Sequence, residues 1–429
     1  MASHINFIHS ILIFTLGAFL ESSHEDRIHH LPLTRVSGYG SIPPGLNPLR
    51  WKKLDPADSW AKCMPVISGV PASWGSDYVQ NYIMIDPIQF AHQNYLAGNL
   101  ADSAYNDVKK GWGAHFFKTV IDRSVKSYLN IIYRKTAQGG IVYRIDEDND
   151  SDFSDEKDYQ PVKNMWLKLD SLAVLYAHVV RYERVTNGRV VEDKIPFMLV
   201  EQGGQLLRNF PVHHEARIDG ARVEVSSTSH VTFDFTTTTI SLPDLNSGVL
   251  AEGEFFSIKG KTYKFLNVDR DKMLLRVQEV NSNQVLYSSQ VGFMSNAFSG
   301  TNYITGAELS SSGFKGKYMY LDFWGTWCGP CLMELPGIRK VYETLDTTKV
   351  QFIGIAVNSD SKALDKIIAK EQITWPQIQA AGNDDVVDNF NISKYPTSFL
   401  IDQKGRIIAK DIPHASLRDT LNKYVITKP

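Results

Sequence analysis

Cysteine is scarce in this sequence, which contains only Cys63, Cys328 and Cys331 among its 429 residues. Three cysteines are too few for a scaffold held together by several disulfides, and too few for a four-cysteine zinc site. Because only two residues separate Cys328 from Cys331, we interpret this pair as chemical rather than structural. Cys63 has no such neighbour, and we interpret it as a buried or incidental free thiol.

Neither acidic nor basic residues are in clear excess. The chain has 45 Lys and Arg residues against 47 Asp and Glu residues, and its formal net charge is −2. No basic run interrupts this balance, so we predict that the protein does not bind nucleic acid. Hydrophobic residues make up 43% and charged residues 21% of the chain, as in soluble globular proteins. The length predicts about two or three domains.

Long hydrophobic runs are missing beyond the amino terminus, where one extends from Ile11 to Leu20. This run is too short to span a bilayer, but it is typical of the apolar core of a signal peptide. The preceding segment has His4 and His9 where Lys or Arg is usual. We expect residues 1–21 to be a signal peptide or a membrane tether, in preference to a buried helix. The predicted location is therefore extracytoplasmic, in the periplasm.

The rest of the chain divides by composition. Residues 22–60 are polar and rich in His, Pro and Gly, and we predict a linker. Residues 61–300 are rich in Thr, Val and aromatic residues, and Asn187-Gly188 between two such runs predicts a hairpin. We therefore predict a β-rich, sandwich-like region of unknown function, with helical character near Asp86 to Gly113. A boundary near 298–305 separates it from an α/β domain at 303–429.

The most informative stretch is Trp327-Cys328-Gly329-Pro330-Cys331. A strand-like apolar segment precedes it and a helix-like segment follows it. A helix amino terminus stabilises a thiolate at Cys328, and Cys331 lies about one turn further on. We predict that Cys328 attacks a disulfide and that Cys331 resolves the product. Gly329 and Pro330 carry no charge, so the activation is expected from the helix end.

Two acids are candidates for the proton acceptor that the resolving cysteine needs. Asp322 lies in an apolar run on the predicted strand, where burial would raise its pKa. Glu334 lies three residues beyond Cys331 on the predicted helix. Both stay candidates, and a solvated acid at the strand end is the alternative for Asp322.

The pattern after the boundary alternates strands and helices. In order, it predicts strand 318–324, helix 329–345, strand 350–357, helices 361–371 and 384–390, strands 397–401 and 405–410, and helix 414–425.

The segment from Phe323 to Cys331 resembles the active-site segment of the thioredoxin superfamily. Residues 303–429 are most similar to its TlpA/ResA-type extracytoplasmic thiol-disulfide oxidoreductases. Glu334 and the Tyr395-Pro396 pair match further motifs of that branch.

This resemblance implies a thioredoxin-like fold, a cis peptide bond before Pro396 and protein disulfides as substrates. It also implies reduction as the usual direction, with electrons from a membrane thiol donor and cytochrome c maturation as a common client pathway. No cofactor is expected besides the redox-active disulfide of Cys328 and Cys331. The residues predicted to contact substrate are Trp327, Gly329, Pro330, Tyr395 and Pro396.

Two alternative functions remain open at this point. The β-rich region could be a cell-envelope binding module that the redox domain serves, or the protein could be a peroxide-linked antioxidant reductase.

No metal site is predicted. The acidic stretch from Asp146 to Glu156 fails the calcium-loop template, because Lys157 occupies the position of its last ligand. His213 and His214 are interpreted as surface or loop residues.

Overall fold

The fold is taken from a computed structural model. The residues that it describes are 27–42, 44–112, 119–163, 175–227, 230, 238–245, 248–280, 285–382, 384–392 and 394–426. The predicted signal peptide or tether at residues 1–21 lies outside these ranges. Within them, no helix is both long enough and apolar enough to cross a membrane.

The described strands and helices are numbered along the chain. The strands are β1 (Arg27–Pro32), β2 (Thr34–Ser37), β3 (Asn47–Pro48), β4 (Val79–Met84), β5 (Tyr128–Lys135), β6 (Ile141–Ile145), β7 (Val162–Lys163), β8 (His178–Thr186), β9 (Arg189–Gln202), β10 (Gln205–Asn209), β11 (Val212–Ile218), β12 (Ala221–Ser227), β13 (Thr238–Ser241), β14 (Leu250–Ala251), β15 (Phe255–Ile258), β16 (Lys261–Asp269), β17 (Leu274–Val280), β18 (Ser299–Thr301), β19 (Glu308–Ser310), β20 (Tyr318–Trp324), β21 (Val350–Val357), β22 (Gln377–Ala380), β23 (Thr397–Ile401) and β24 (Ile407–Lys410). The helices are α1 (Ser59–Lys62), α2 (Pro87–Leu96), α3 (Asp102–Trp112), α4 (Gly329–Tyr342), α5 (Ser361–Glu371), α6 (Asp385–Asn389) and α7 (His414–Leu421).

Most of the amino-terminal region is antiparallel sheet, as its composition predicts. Strands β14-β13-β12-β11-β2 form one sheet and β1-β17-β16-β15 form another. Their apolar side chains, among them Val223, Ile240 and Phe265, belong to one buried cluster. The predicted hairpin at Asn187-Gly188 joins β8 to β9, and Asn187 takes the left-handed conformation that such a turn requires. The strand-rich character is confirmed, and the sandwich-like arrangement stays a prediction.

The interpretation of residues 22–60 as a linker is corrected for β1 and β2. Strand β1 pairs with β17 in the register Arg27↔Glu279, and β2 pairs with β11. Both strands are largely polar and half-exposed, so their local pattern carries little apolar alternation. Their partners lie far along the chain, where no local pattern can indicate the pairing.

The carboxyl-terminal domain is a sheet of five strands in the order β22-β21-β20-β23-β24. Strands β20, β21 and β22 are parallel, whereas β23 and β24 are antiparallel to their neighbours. The predicted order of strands and helices is present, and this sheet has one additional strand. This strand, β22, is only four residues long and follows Trp375-Pro376, so its sequence shows no clear strand period.

Helices cover both faces of this sheet, and strand β20 at its centre is buried along its whole length. Tyr320 and Trp324 pack with helix α4 on one face, in the cluster that also holds both active-site cysteines. Leu321 and Phe323 pack on the other face with Phe390. Because side chains alternate along a strand, Asp322 lies on the α4 face. The strand therefore places a carboxyl group beneath the active-site helix.

The lone cysteine lies far from this domain in sequence, in a cluster with Phe90 and Tyr105 of helices α2 and α3. Cys63 is a free thiol, it is 4% exposed, and its Sγ donates to the carbonyl of Ser59. Its burial and the neighbouring charge of Asp58 raise the pKa of its thiol to about 11. The interpretation as a buried free thiol is confirmed.

We predict that Cys63 is inert to alkylation in the folded protein. In a Cys328→Ser/Cys331→Ser variant, iodoacetamide at pH 8 should label Cys63 at least about 100-fold more slowly than it labels free cysteine, because little thiolate is present. Mass spectrometry of quenched samples measures this rate, and labelling in guanidinium chloride is the control. Equal rates in the native and unfolded protein would contradict the prediction.

Candidate active site

Cys328 is the residue that precedes helix α4 and caps its amino terminus. Its backbone is extended, and its Sγ accepts a hydrogen bond of 3.2 Å from the backbone N–H of Cys331. Pro330 follows in the first turn, where a helix does not need the missing N–H. The partial positive charge at the start of this 14-residue helix therefore acts on the Cys328 sulfur.

The two sulfurs are joined in a disulfide, and the Cα atoms of Cys328 and Cys331 lie 5.3 Å apart. In this oxidised form Cys328 is 5% exposed and Cys331 is 2% exposed. Cys328 is slightly more exposed than Cys331, although both are buried. Gly329 and Pro330 are exposed beside it. The exposed part of the disulfide therefore lies mainly at Cys328, beside Gly329 and Pro330.

The aromatic residue before the motif connects it to a second loop. Trp327 is 54% exposed, and its indole Nε1 donates to the carbonyl of Val357 at 3.0 Å. Its ring lies edge-on to that of Tyr395, with 5.1 Å between the centroids. The Tyr395–Pro396 peptide bond is cis, as predicted. The cysteine motif and the predicted substrate loop therefore share one surface.

The two predicted acids lie on neighbouring elements of the domain. Asp322 is 4% exposed on strand β20. Its burial, together with the negative charge of Glu334, raises the pKa of its carboxyl group to about 7. The alternative interpretation of Asp322 as a solvated acid at the end of the strand is therefore wrong. Glu334 is 24% exposed on helix α4, so it has access to water that Asp322 lacks.

One neighbour of this pair was not predicted. Nδ1 of His414, at the start of helix α7, lies 3.5 Å from Oε1 of Glu334. Gly337 on α4 makes room for this imidazole, since a Cβ at Gly337 would lie 2.4 Å from Cδ2 of His414. No sequence spacing connects His414 to Glu334, because 80 residues separate them along the chain. Asp322, Glu334 and His414 thus form a series from the buried strand to the surface.

The interpretation of His213 and His214 as surface or loop residues is wrong. Both are buried in strand β11, where they are 4% and 2% exposed. Burial, aided by the positive charge of Arg35 and by the neighbouring imidazole of His213, lowers the pKa of His214 to about 3. His214 is therefore a neutral core residue at neutral pH.

A family model for redoxins matches residues 297–424. The chain is 28% identical over 122 residues to the thiol-disulfide oxidoreductase ResA of Bacillus thuringiensis subsp. konkukian, a match covering 28% of this chain and 69% of that protein. Residues 297–424 form a redoxin domain. ResA of Geobacillus kaustophilus is 32% identical over 104 residues, which cover 24% of this chain and 59% of the relative. The thioredoxin domain of a thiol-disulfide oxidoreductase from Bacteroides vulgatus is 29% identical, with a TM-score of 0.29, over 32% of this chain and 97% of that one.

The redoxin domain has the thioredoxin fold and is a thioredoxin-like protein-disulfide oxidoreductase, which confirms the predicted enzyme class. The family resemblance stated from the motif is confirmed as well. The roles of the individual residues stay predictions.

The buried carboxyl group generates a prediction on stability. The folded oxidised protein holds the Asp322 proton up to about pH 7, whereas the unfolded chain releases it near 3.8. Unfolding therefore releases a proton between these values, and stability falls as the pH rises through this range. The rise in pKa corresponds to about 4 kcal/mol in the free energy of unfolding. Asp322→Asn should abolish this pH dependence.

Urea denaturation of the oxidised protein between pH 4 and pH 8 measures this effect. The stability difference between the Asp322→Asn variant and the unmodified protein should grow with pH and level off above pH 7. Asp419→Asn, which replaces an exposed acid on α7, is the matched control and should follow the unmodified protein. If the free energy of unfolding of Asp322→Asn changed with pH in parallel with that of the unmodified protein, Asp322 would not titrate in this range.

Proposed function

We propose that the redoxin domain reduces disulfide bonds in client proteins through Cys328 and Cys331. The observation that carries this proposal is the position of Cys328 at the amino terminus of α4, where its sulfur accepts the N–H of Cys331. This geometry favours a thiolate at Cys328 in the reduced form. A thiolate with a second thiol one turn away is the arrangement that dithiol exchange requires.

In the proposed reaction, the Cys328 thiolate attacks one sulfur of a client disulfide. A bond forms between Cys328 and the client, and the other client sulfur leaves as a thiolate that takes up a proton. Cys331 then loses its proton and attacks the Cys328 sulfur, which releases the second client thiol. Two electrons have passed to the client, and the Cys328–Cys331 disulfide that forms is the state seen in this structure.

Asp322 is the proposed acceptor of the Cys331 proton. A carboxyl group whose pKa is about 7 can accept a proton from a thiol and return it without a large energetic cost. Glu334 contributes its negative charge, which helps to raise the pKa of Asp322. Because Glu334 is partly exposed, it is the proposed route by which the proton then reaches water.

The client chain is proposed to bind across the surface shared by Trp327 and Tyr395. Trp327, Gly329 and Pro330 are exposed around the disulfide, and Met333 on the next turn of α4 is 73% exposed. An extended client segment could pair with the backbone before Pro396, which is the strand-addition mode of peptide recognition. Exposed aromatic and methionine side chains suit clients of varied sequence.

Each turnover leaves the protein oxidised, so an electron donor must restore the dithiol. We propose a membrane thiol donor, an extracytoplasmic location and, as one client pathway, cytochrome c maturation. The apolar run from Ile11 to Leu20 and the similarity to ResA support this setting. For the β-rich region we propose a sandwich-like scaffold, which is supported by the apolar cluster that two of its sheets share.

Trapping distinguishes the two cysteines. Cys331→Ser should accumulate a mixed disulfide between Cys328 and a disulfide-bonded client such as insulin, because the resolving thiol is absent. Its turnover should fall at least about 100-fold. Cys328→Ser is the matched control and should form no adduct. Non-reducing electrophoresis and mass spectrometry of the cross-linked peptide measure both results.

A mixed disulfide formed through Cys331 in the Cys328→Ser variant would contradict the proposed order of attack. Insulin reduction at an undiminished rate by Cys331→Ser would contradict the dithiol mechanism itself.

A further inference from the structure

A cluster of polar side chains lies on strands β11 and β12, far in sequence from the redox site. Glu215 and Glu224 stand directly opposite each other in the register of these strands. His213 lies on the same face as Glu215, because two residues separate them along β11. Like charges directly opposite each other destabilise a sheet, so this face needs a cation. One ligand atom from each of the three residues lies within 4.8 Å of the others.

The imidazole of His213 is oriented for binding through one nitrogen. Its Nδ1 lies 2.9 Å from the carbonyl oxygen of Gly38, so Nδ1 carries the proton and donates. In the neutral imidazole, Nε2 then has a free lone pair. It is buried without a hydrogen-bond partner, and the His213 side chain is 5% exposed. Nε2 points towards Glu215, whose Oε1 lies 3.5 Å away. Metal-binding histidines commonly donate their second ring nitrogen to a backbone carbonyl in this way.

A glycine provides the space at which these groups meet. Gly40 has a φ of +62°, and a Cβ built on it would lie 2.6 Å from Oε2 of Glu224 and 3.2 Å from Nε2 of His213. Any larger residue would therefore fill the space between the imidazole and the carboxylate. Ser41, which follows Gly40, orients the carboxylate of Glu224. Its backbone N–H and its hydroxyl both donate to Oε2 of Glu224 at 2.6 Å.

The positive charge at this cluster is supplied by Arg222. Its Nη1 lies 3.3 Å from Oε1 of Glu215 and 3.2 Å from Oε1 of Glu224. One arginine balances one of the two negative charges and leaves Nε2 of His213 without a hydrogen-bond partner. The Arg222 side chain is 35% exposed, and its Nε also lies 3.9 Å from Oδ1 of Asp244. It could therefore turn towards Asp244 and give up its place between the two glutamates.

We propose that His213, Glu215 and Glu224 bind one divalent transition-metal ion of the Zn²⁺ type, in competition with Arg222. One imidazole nitrogen and two carboxylate oxygens suit Zn²⁺, and the nitrogen ligand disfavours Mg²⁺ and Ca²⁺. Glu215 is 28% exposed, which gives the ion a path from solvent. The site is independent of the redox chemistry proposed above, because none of its residues belongs to the redoxin domain.

Isothermal titration of ZnCl₂ into the full, untagged, oxidised protein tests the proposal, since the Cys328–Cys331 disulfide keeps those sulfurs from binding zinc. We expect one ion per chain. His213→Asn retains a donor towards Gly38 but removes the Nε2 ligand, and it should weaken binding by more than about 100-fold, beyond the loss typical of outer-shell partners. His30→Gln replaces an exposed histidine on β1 and should bind zinc normally.

Arg222→Gln should bind zinc more tightly than the unmodified protein, because it removes the competing cation. If His213→Asn fails to fold by circular dichroism, Glu215→Gln serves in its place and should also weaken binding, since Glu215 is only partly buried. Zinc binding that is absent in both the unmodified protein and Arg222→Gln would overturn the proposal. Binding that is equal in His213→Asn and in His30→Gln would overturn it too.

Discussion

The burial of strand β20 on both of its faces is the constraint on which the redox site depends. Its seven residues are all buried, and the chain leaves the strand directly into the turn that carries Trp327 and Cys328. A strand held from both sides cannot slip in register without moving every apolar side chain to the wrong face. The strand therefore fixes the position of Cys328, and helix α4 begins at the next residue, Gly329. The proposed activation of Cys328 would in this sense be a consequence of packing, since the helix end acts only on a sulfur held beside it.

The same burial explains why a carboxyl group in this strand is both costly and useful. An ionised Asp322 would have little solvation, and the charge of Glu334 opposes its ionisation further. The domain tolerates this because the rest of β20 contributes large apolar side chains, including Tyr320, Phe323 and Trp324. The destabilisation develops between about pH 3.8 and pH 7 and is complete above about pH 7, where Asp322 is charged in the folded protein as well. An acid that resists ionisation in the folded protein readily holds a proton, which is the property that the proposed resolution by Cys331 requires.

Sequence reasoning succeeded where the information is local. The strand, the turn, the cysteine motif and the helix follow one another within Tyr318 to Tyr342, and their apolar periods are clear. It failed where a partner lies far along the chain. Strand β1 is recognisable only through β17, and His414 meets Glu334 only after α7 packs beside α4. The cluster of His213 and Glu224 was missed for the same reason, because a sheet register brings together residues whose spacing matches no metal-binding motif.

Both edges of the redoxin sheet are covered by neighbouring segments of the same chain. On one side, the N–H of Gly292 donates to the carbonyl of Ile407 in strand β24, and the N–H of Ile407 donates to Phe293. On the other side, the N–H of Tyr303 donates to the carbonyl of Gln377 in strand β22. Edge strands are the usual places at which a foreign chain adds to a sheet. Because backbone groups at both edges are already engaged, the proposed client surface at Trp327 and Tyr395, beside Cys328, has fewer competing positions for strand addition. On this proposal, the segments that hold Gly292 and Tyr303 would favour disulfide exchange indirectly, by occupying the competing positions for strand addition.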